Sequence, residues 1–130
     1  MAEPSAPSGL FYITSSADES KGLTPDAFTK WYNDIHIPEL LALPGLDSAF
    51  RYSNTAPDTK PEYLCLYPLA SLDTLKSAEL AKVNNVHEAT FPGPSHDVRD
   101  VADLKARVYV HVQSYEPVKK SGESIFGMTQ

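Results

Sequence analysis

The sequence predicts an α+β domain with elements in the order β-α-β-β-α-β, the split βαβ arrangement. Short runs of β-branched and aromatic residues alternate with two segments of helical spacing. Turn-forming clusters of Gly, Pro, Asn and Ser fall between them. The last strand candidate alternates valine with polar or aromatic residues along its length.

Residues 1–8, rich in Ala, Pro and Ser, read as a flexible tail, and residues 9–116 as the domain. Leu10-Phe11-Tyr12-Ile13-Thr14 is the first strand, bounded by Gly9 and the polar Ser15-Ser16-Ala17-Asp18. Thr24-Pro25-Asp26 starts a helix: Thr24 can accept orphan amides, Pro25 suits the first helical position, and Asp26 suits the positive dipole end. Phe28, Trp31, Tyr32 and Ile35 then form one apolar face. Pro38 lacks an amide hydrogen and disfavours helix before it, which predicts an end near His36. A short segment, Pro38 to Leu43, restarts before Pro44-Gly45 stops it.

Asp47 to Ser53 is the second strand, followed by a turn-rich loop from Asn54 to Pro61. Glu62 to Pro68 is the third, with Tyr63, Cys65 and Tyr67 alternating with Leu64 and Leu66. Ser71 caps a second long helix with Leu72, Leu75, Leu80 and Val83 inward. Asn84-Asn85 and Pro92-Gly93-Pro94 break the chain, and Val101 to Lys105 reads as a helical turn. The fourth strand runs from Arg107 to Tyr115, with Val108, Val110 and Val112 on one face and Tyr109, His111 and Gln113 on the other. Residues 117–130 form a C-terminal tail, in which Ile125-Phe126 either closes a partner's pocket or is disordered.

Composition narrows the function. A chain of 130 residues, 42% hydrophobic and 22% charged, has the make-up of one globular domain rather than a disordered segment. A net charge of −6 argues against a nucleic-acid partner, which needs a basic stripe; Lys119-Lys120 is the one basic run. The single cysteine, Cys65, excludes an internal disulfide and fits a reducing compartment. The N-terminus lacks the basic start and apolar stretch of a signal peptide, and no apolar run reaches membrane-spanning length, so a cytoplasmic location without membrane contact is expected.

A β-α-β-β-α-β domain covers one sheet face with its helices, the ferredoxin-like arrangement of a four-stranded antiparallel sheet. The other face is also too apolar and aromatic for water, especially in strands three and four. A second copy of the chain, packed sheet to sheet about a two-fold axis, would cover it.

Phe28-x-x-Trp31-Tyr32-Asn33-Asp34-Ile35-His36-Ile37-Pro38, then Leu43-Pro44-Gly45 and Ala49-x-Arg51-Tyr52, resembles the dimeric α/β-barrel superfamily, especially its EthD-like proteins of fungal type. Their first helix typically reads F-x-x-W-Y-x-x-x-H-x-P, followed by P-G and an arginine-tyrosine strand. The likeness spans residues 9–116, with specific motifs only as far as Tyr52. It implies a homodimeric barrel and a set of chemistries without cofactor: decarboxylation, polyketide cyclisation, lactone isomerisation and small monooxygenation. The superfamily also has members without assigned activity and some that bind haem. Many fungal relatives carry two such units in one chain; the single unit here strengthens the homodimer expectation.

His36 is the sharpest candidate for chemistry. It stands one turn after Tyr32 at the rim of the apolar face, where it can point into a cavity, and imidazole titrates near neutrality. Otherwise it hydrogen-bonds a loop and fixes the Pro38 kink. His87 has a counterpart of broadly similar position in plant polyketide cyclases, yet no local motif anchors it, and a surface histidine is the plainer reading. His96 lies in a loop that either covers a pocket or is solvated. His111 is a pocket residue or a satisfied group at the dimer sheet. Among the tyrosines, which can stack on a ring and orient its oxygens, Tyr12 and Tyr63 are chosen because their strands would underlie the first helix. Tyr32 and Trp31 would shape the pocket or pack the core. Arg51 would bind a carboxylate or pair with Asp34 or Glu39. Cys65 reads as an inert core thiol.

No metal-ligand spacing is present, since His36-x-x-Glu39 is interrupted by Pro38, and there is no glycine-rich phosphate loop or nucleophile elbow. The sequence therefore predicts a cofactor-independent enzyme acting by acid–base catalysis on an aromatic or polyketide-like small molecule. Its catalytic groups would be His36, Tyr63 and His87, and its substrate-binding groups Tyr12, Trp31, Tyr32, Arg51 and His111. Decarboxylation, dehydrative cyclisation and isomerisation are the candidate steps, the first slightly favoured by the EthD-like resemblance. A non-catalytic binding or stress-related dimer and a cofactorless monooxygenase are the alternatives.

Overall fold

A computed structural model describes residues 6–56 and 60–117; the Ile125-Phe126 and Lys119-Lys120 expectations lie outside them. Four strands, β1 (Gly9–Ala17), β2 (Phe50–Ser53), β3 (Tyr63–Leu69) and β4 (Ala102–Val110), form one antiparallel sheet in the order β2-β3-β1-β4. The expected α+β, ferredoxin-like fold is borne out. Two strands begin elsewhere than expected. β2 starts at Phe50 rather than Asp47, and β4 starts at Ala102, so the predicted helical turn at 101–105 is mostly strand. That turn falls one step earlier, in α4 (Val98–Val101), capped by Asp97. Pairing with the far end of β1, Ala17 against Ala102, decides the matter over local propensity. Residues 7 and 8, expected in the tail, are tied down: Pro7 accepts from the Leu72 amide at 2.9 Å and Ser8 from the His111 amide at 2.8 Å.

The first helix begins where the sequence places it. In α1 (Pro25–Trp31), Thr24 Oγ1 accepts the Ala27 amide at 3.1 Å. Its end is a correction. The chain does not stop at His36 but passes through a π-helical turn, Tyr32–His36, into α2 (Ile37–Leu41). The Ile37 amide reaches back five residues to the Tyr32 carbonyl, and Pro38 sits in the first turn of α2, where its missing amide hydrogen is tolerated. The wide turn absorbs one extra residue and advances the helix by that residue. Ile35, expected on the apolar face, is consequently exposed, while His36 turns inward and Leu40 is buried.

The second long helix is likewise replaced. Ser71 does cap, accepting the Asp73 amide at 3.1 Å, but it opens a 3-10 turn (Leu72–Lys76) followed by the four-residue α3 (Ala78–Ala81) with its own cap, Ser77. Leu72, Leu75, Leu80 and Val83 still pack against the core. The remaining cover is a loop closed by Phe91, which is fully buried. The core lies between this layer and one sheet face, with Phe28, Trp31, Tyr32, Cys65, Tyr67 and Leu69 at its centre. Pairing assigns Phe11, Ile13, Ser15, Arg51, Tyr63, Cys65 and Tyr67 to that inner face. The outer face carries Leu10, Tyr12, Phe50, Tyr52, Leu64, Leu66 and Tyr109, with Phe50 at 48% and Tyr52 at 53% exposure. No helix among the described residues is long and apolar enough to cross a membrane.

Candidate functional site

The π turn builds the site. It directs His36 beneath the helix, where the imidazole stacks on Trp31 (ring centroids 4.6 Å apart, planes 16° apart) and meets Tyr32 edge to face at 5.1 Å. Trp31 is itself fixed against Phe28 and Phe91, so the ring backing the histidine has little freedom. The imidazole helps to line a cavity of about 220 Å³, open to solvent at one side, between the π turn, α2, the sheet and the segment after α3. Its walls are Phe11, Ile13, Tyr32, His36, Leu40, Tyr67, Leu80, Ala81, Val83 and Asn85. None of these ten side chains carries a formal charge when the histidine is neutral.

Burial keeps it neutral. With no acidic partner among the described residues to hold a proton, removal from water lowers the His36 pKa from 6.5 to about 4, so the ring is an uncharged base at neutral pH. Its Nδ1 is buried and has no hydrogen-bond partner. Tyr67 lines the same cavity; its buried hydroxyl neighbours the Tyr32 hydroxyl and the Cys65 thiol, and burial pushes its ionisation far above the ordinary phenol range. Burial also raises Tyr32, to about 12. A buried group able to accept a proton and two buried phenols able to donate a hydrogen bond thus belong to residues of one apolar-walled cavity. A buried polar group left unpaired costs about 1–3 kcal/mol. A carbonyl or hydroxyl oxygen beside an acidic hydrogen is the chemistry that matches these groups.

The other residues singled out from the sequence are placed as follows. Tyr63 lies on the inner face but contacts Phe28 and the Arg51 guanidinium instead of lining the cavity. Tyr12 was expected to underlie the first helix; strand parity corrects this, and it sits on the outer face, edge-on to Tyr109 at 5.8 Å. Arg51 does not pair with Asp34 or Glu39: Asp34 lies 3.7 Å from Lys30, and Glu39 accepts the Asn84 amide at 3.3 Å. Its guanidinium lies over the Tyr63 and Tyr32 rings. His87 is engaged in the covering loop, Nδ1 2.6 Å from Thr90 Oγ1, two residues beyond the cavity-lining Asn85. His96 belongs to the same loop, with Nδ1 2.7 Å from the Phe91 carbonyl. His111 is exposed past the end of β4, Nε2 2.9 Å from Ser114 Oγ, beside an apolar depression remote from His36 in its lining. Cys65 is buried in the core, where burial pushes its thiol up.

Tyr67 and Asn85 were not among the chosen site residues. The alternation of Tyr63, Cys65 and Tyr67 did signal that Tyr67 shares the inner face, but not how far along β3 the cavity opens. Among the described residues no group of three or more His, Cys, Asp or Glu is gathered as a metal site. A second, polar depression, which includes Lys60, Glu62, Asp103 and Lys105, contains a formed ion pair, Lys60 to Asp103 at 3.2 Å.

No protein-family model matches the chain, and no curated protein matches it significantly. Solved structures do. The chain is similar to SnoaB, a cofactor-independent oxygenase from Streptomyces nogalater, with a TM-score of 0.55 and 13% identity over 84% of this chain and 97% of that one. It is similar to a provisionally assigned antibiotic biosynthesis monooxygenase from Bacillus cereus, with a TM-score of 0.54 and 16% identity over 86% and 100%. A dimeric ferredoxin-like protein from an uncultured marine organism aligns with a TM-score of 0.53 and 17% identity over 84% and 99%. At such identities the shared property is the fold.

Proposed function

We propose that this chain is a cofactor-independent enzyme that begins its reaction by removing a proton from an aromatic or polyketide-like small molecule in the His36 cavity. The observation that supports it is one uncharged cavity wall that brings together a neutral, buried histidine with an unpartnered Nδ1 and the neighbouring phenols of Tyr32 and Tyr67. His36 takes the proton. The Tyr67 hydroxyl, with Tyr32 beside it, donates to the oxygen on which negative charge develops, and the low-polarity wall strengthens that hydrogen bond. Once the substrate is an anion, its charge favours imidazolium, so the weak base of the empty cavity becomes a stronger one during the step.

A neutral histidine suits reactions that start with deprotonation, namely isomerisation and dehydrative cyclisation, better than decarboxylation, which must end by giving a proton to carbon. Deprotonation is also the first step in a cofactorless oxygenation, because the resulting carbanion can reduce dioxygen. The fold-level similarity to SnoaB, described as a cofactor-independent oxygenase, favours that second reading. We further propose that two copies pack through the outer sheet face, where Phe50, Tyr52, Leu64, Leu66 and Tyr109 form an apolar surface partly open to water. A role in secondary metabolism follows from the substrate class.

The experiment is mass-resolved product analysis on a panel of phenols, aromatic β-keto acids and polyketide carboxylic acids, with and without dioxygen, wild type beside His36→Ala. An isomer, a loss of water or a gain of oxygen that depends on His36 supports the proposal and selects the step. Turnover that survives His36→Ala refutes the assigned base. Saturable binding without any product supports a binding protein instead.

A further inference from the structure

Arg51 is an inner-face residue with a buried polar atom left without a partner. It projects from the edge strand β2 toward the helices, and its guanidinium carbon lies 4.0 Å from the centroid of the Tyr63 ring and 4.7 Å from that of Tyr32. One arm, Nη2, donates to Thr29 Oγ1 at 3.4 Å, while Nε is buried without a partner. Among the described residues it has no ion pair with a carboxylate. A half-buried guanidinium set against two aromatic rings, with no carboxylate partner among the described residues, is an uneconomical way to fill space, since methionine would pack there with nothing to desolvate. What the arginine adds is a fixed positive charge against the π faces of two phenols, one of which, Tyr32, lines the His36 cavity.

We propose that Arg51 is a positioning residue for Tyr32: it holds the ring in place and strengthens its hydroxyl as a hydrogen-bond donor to an oxyanion formed in the cavity. This rests on the proposed function of that cavity and assigns Arg51 a role other than direct contact with a substrate carboxylate. The groups around Tyr32 leave the charge to this one residue. Cys65 and Tyr67 act on it from β3, Ser15 from β1 and Arg51 from β2, while Trp31 and His36 pack on it from its own helical segment. Of these only Arg51 is ionised at neutral pH. Its charge opposes the effect of burial, which dominates and makes the phenol harder to ionise.

The test needs no substrate. Tyr32 is replaced by 3,5-difluorotyrosine, whose phenol ionises near neutrality, and its phenolate absorbance is titrated in chains carrying Arg51, Arg51→Met or Arg51→Lys. Loss of the charge in Arg51→Met is expected to reduce the acidity of the fluorophenol about threefold or more, and Arg51→Lys to restore part of it. Thr29→Val, which removes the anchoring hydrogen bond and leaves the charge, should give a smaller change. Should the methionine variant not fold by circular dichroism, Arg51→Gln provides the uncharged comparison. An unchanged midpoint in a folded, uncharged variant overturns the proposal, as does a shift that lysine does not reverse at all, which would indicate packing alone. Failure here would leave His36-dependent turnover untouched, so it is distinguishable from failure of the enzymatic reading.

Discussion

Acidification should destabilise this protein in a window set by one histidine. The unfolded chain binds a proton on His36 near pH 6.5, whereas the folded chain resists it down to about pH 4. Between those values the unfolded state holds the extra proton, so stability falls as pH falls. Each pH unit across that window costs the native state about 1.4 kcal/mol, and the full crossing about 3 kcal/mol. Below the folded value both states are protonated and the loss stops growing. The measurement is urea unfolding at a series of pH values and one fixed protein concentration, wild type against His36→Phe, which keeps a ring on Trp31. Carboxylates held low in the fold, such as Asp18 and Asp97, contribute to both chains and cancel in the difference. The difference curve should be flat above neutrality, decline by about 3 kcal/mol toward pH 4, and flatten again. Parallel curves would mean that the imidazole charges freely in the folded chain, and the neutral-base mechanism would fall with that result.

Three further outcomes are expected. Tyr67→Phe removes a buried hydroxyl that neighbours the Tyr32 hydroxyl and the Cys65 thiol, so stability should change by no more than about 1 kcal/mol in chemical denaturation, while turnover falls on the order of a hundredfold. Leu66→Glu, opposite Phe50 on the outer face, should yield a folded monomer by light scattering; an unchanged dimer would place the interface elsewhere. Gly45→Ala should cost about 2 kcal/mol in a thermal or urea melt, because Gly45 has φ +87° and a Cβ there would collide with the Thr74 side chain.

Where a signal is local, the sequence carried it well. Thr24 caps the first helix because hydroxyl, proline and aspartate stand in consecutive positions, and the inner face of β3 follows from strict alternation of Tyr63, Cys65 and Tyr67. Signals that depend on distant partners were lost. Nothing between Ala102 and Ala106 announces a strand; the segment becomes one because β1 extends far enough to pair with it. Ser71 announces a helix that the structure cuts short after Lys76, where Ser77 opens a new one. Pro38 predicts a terminator because it disfavours an ordinary α-helix before it, and the wide turn that accommodates it has no marker of its own. For the candidate site, the sequence puts His36 at the rim of the apolar face, and the π turn that carries it inward has no marker. The face of Tyr12 was not legible either, because a run as short as Leu10 to Thr14 has apolar residues on both faces and does not say which one the helices will cover.

The π turn also has a meaning for how the chain could have changed over time. Each residue of an α-helix turns the chain by about 100°, and the wide turn cancels one such step. Without it, Ile35 and Glu39 would occupy the inward slots that His36 and Leu40 hold. The turn is thus equivalent to a one-residue insertion that leaves the downstream frame pointing as it would in a helix one residue shorter. Deleting Asn33 or Asp34 should therefore keep histidine and leucine inward, but it would confront Pro38 with an unbroken hydrogen-bond ladder that its ring cannot join. Insertion and proline form a coupled pair: a lineage could lose both together and retain the base, whereas losing the extra residue alone would break the helix.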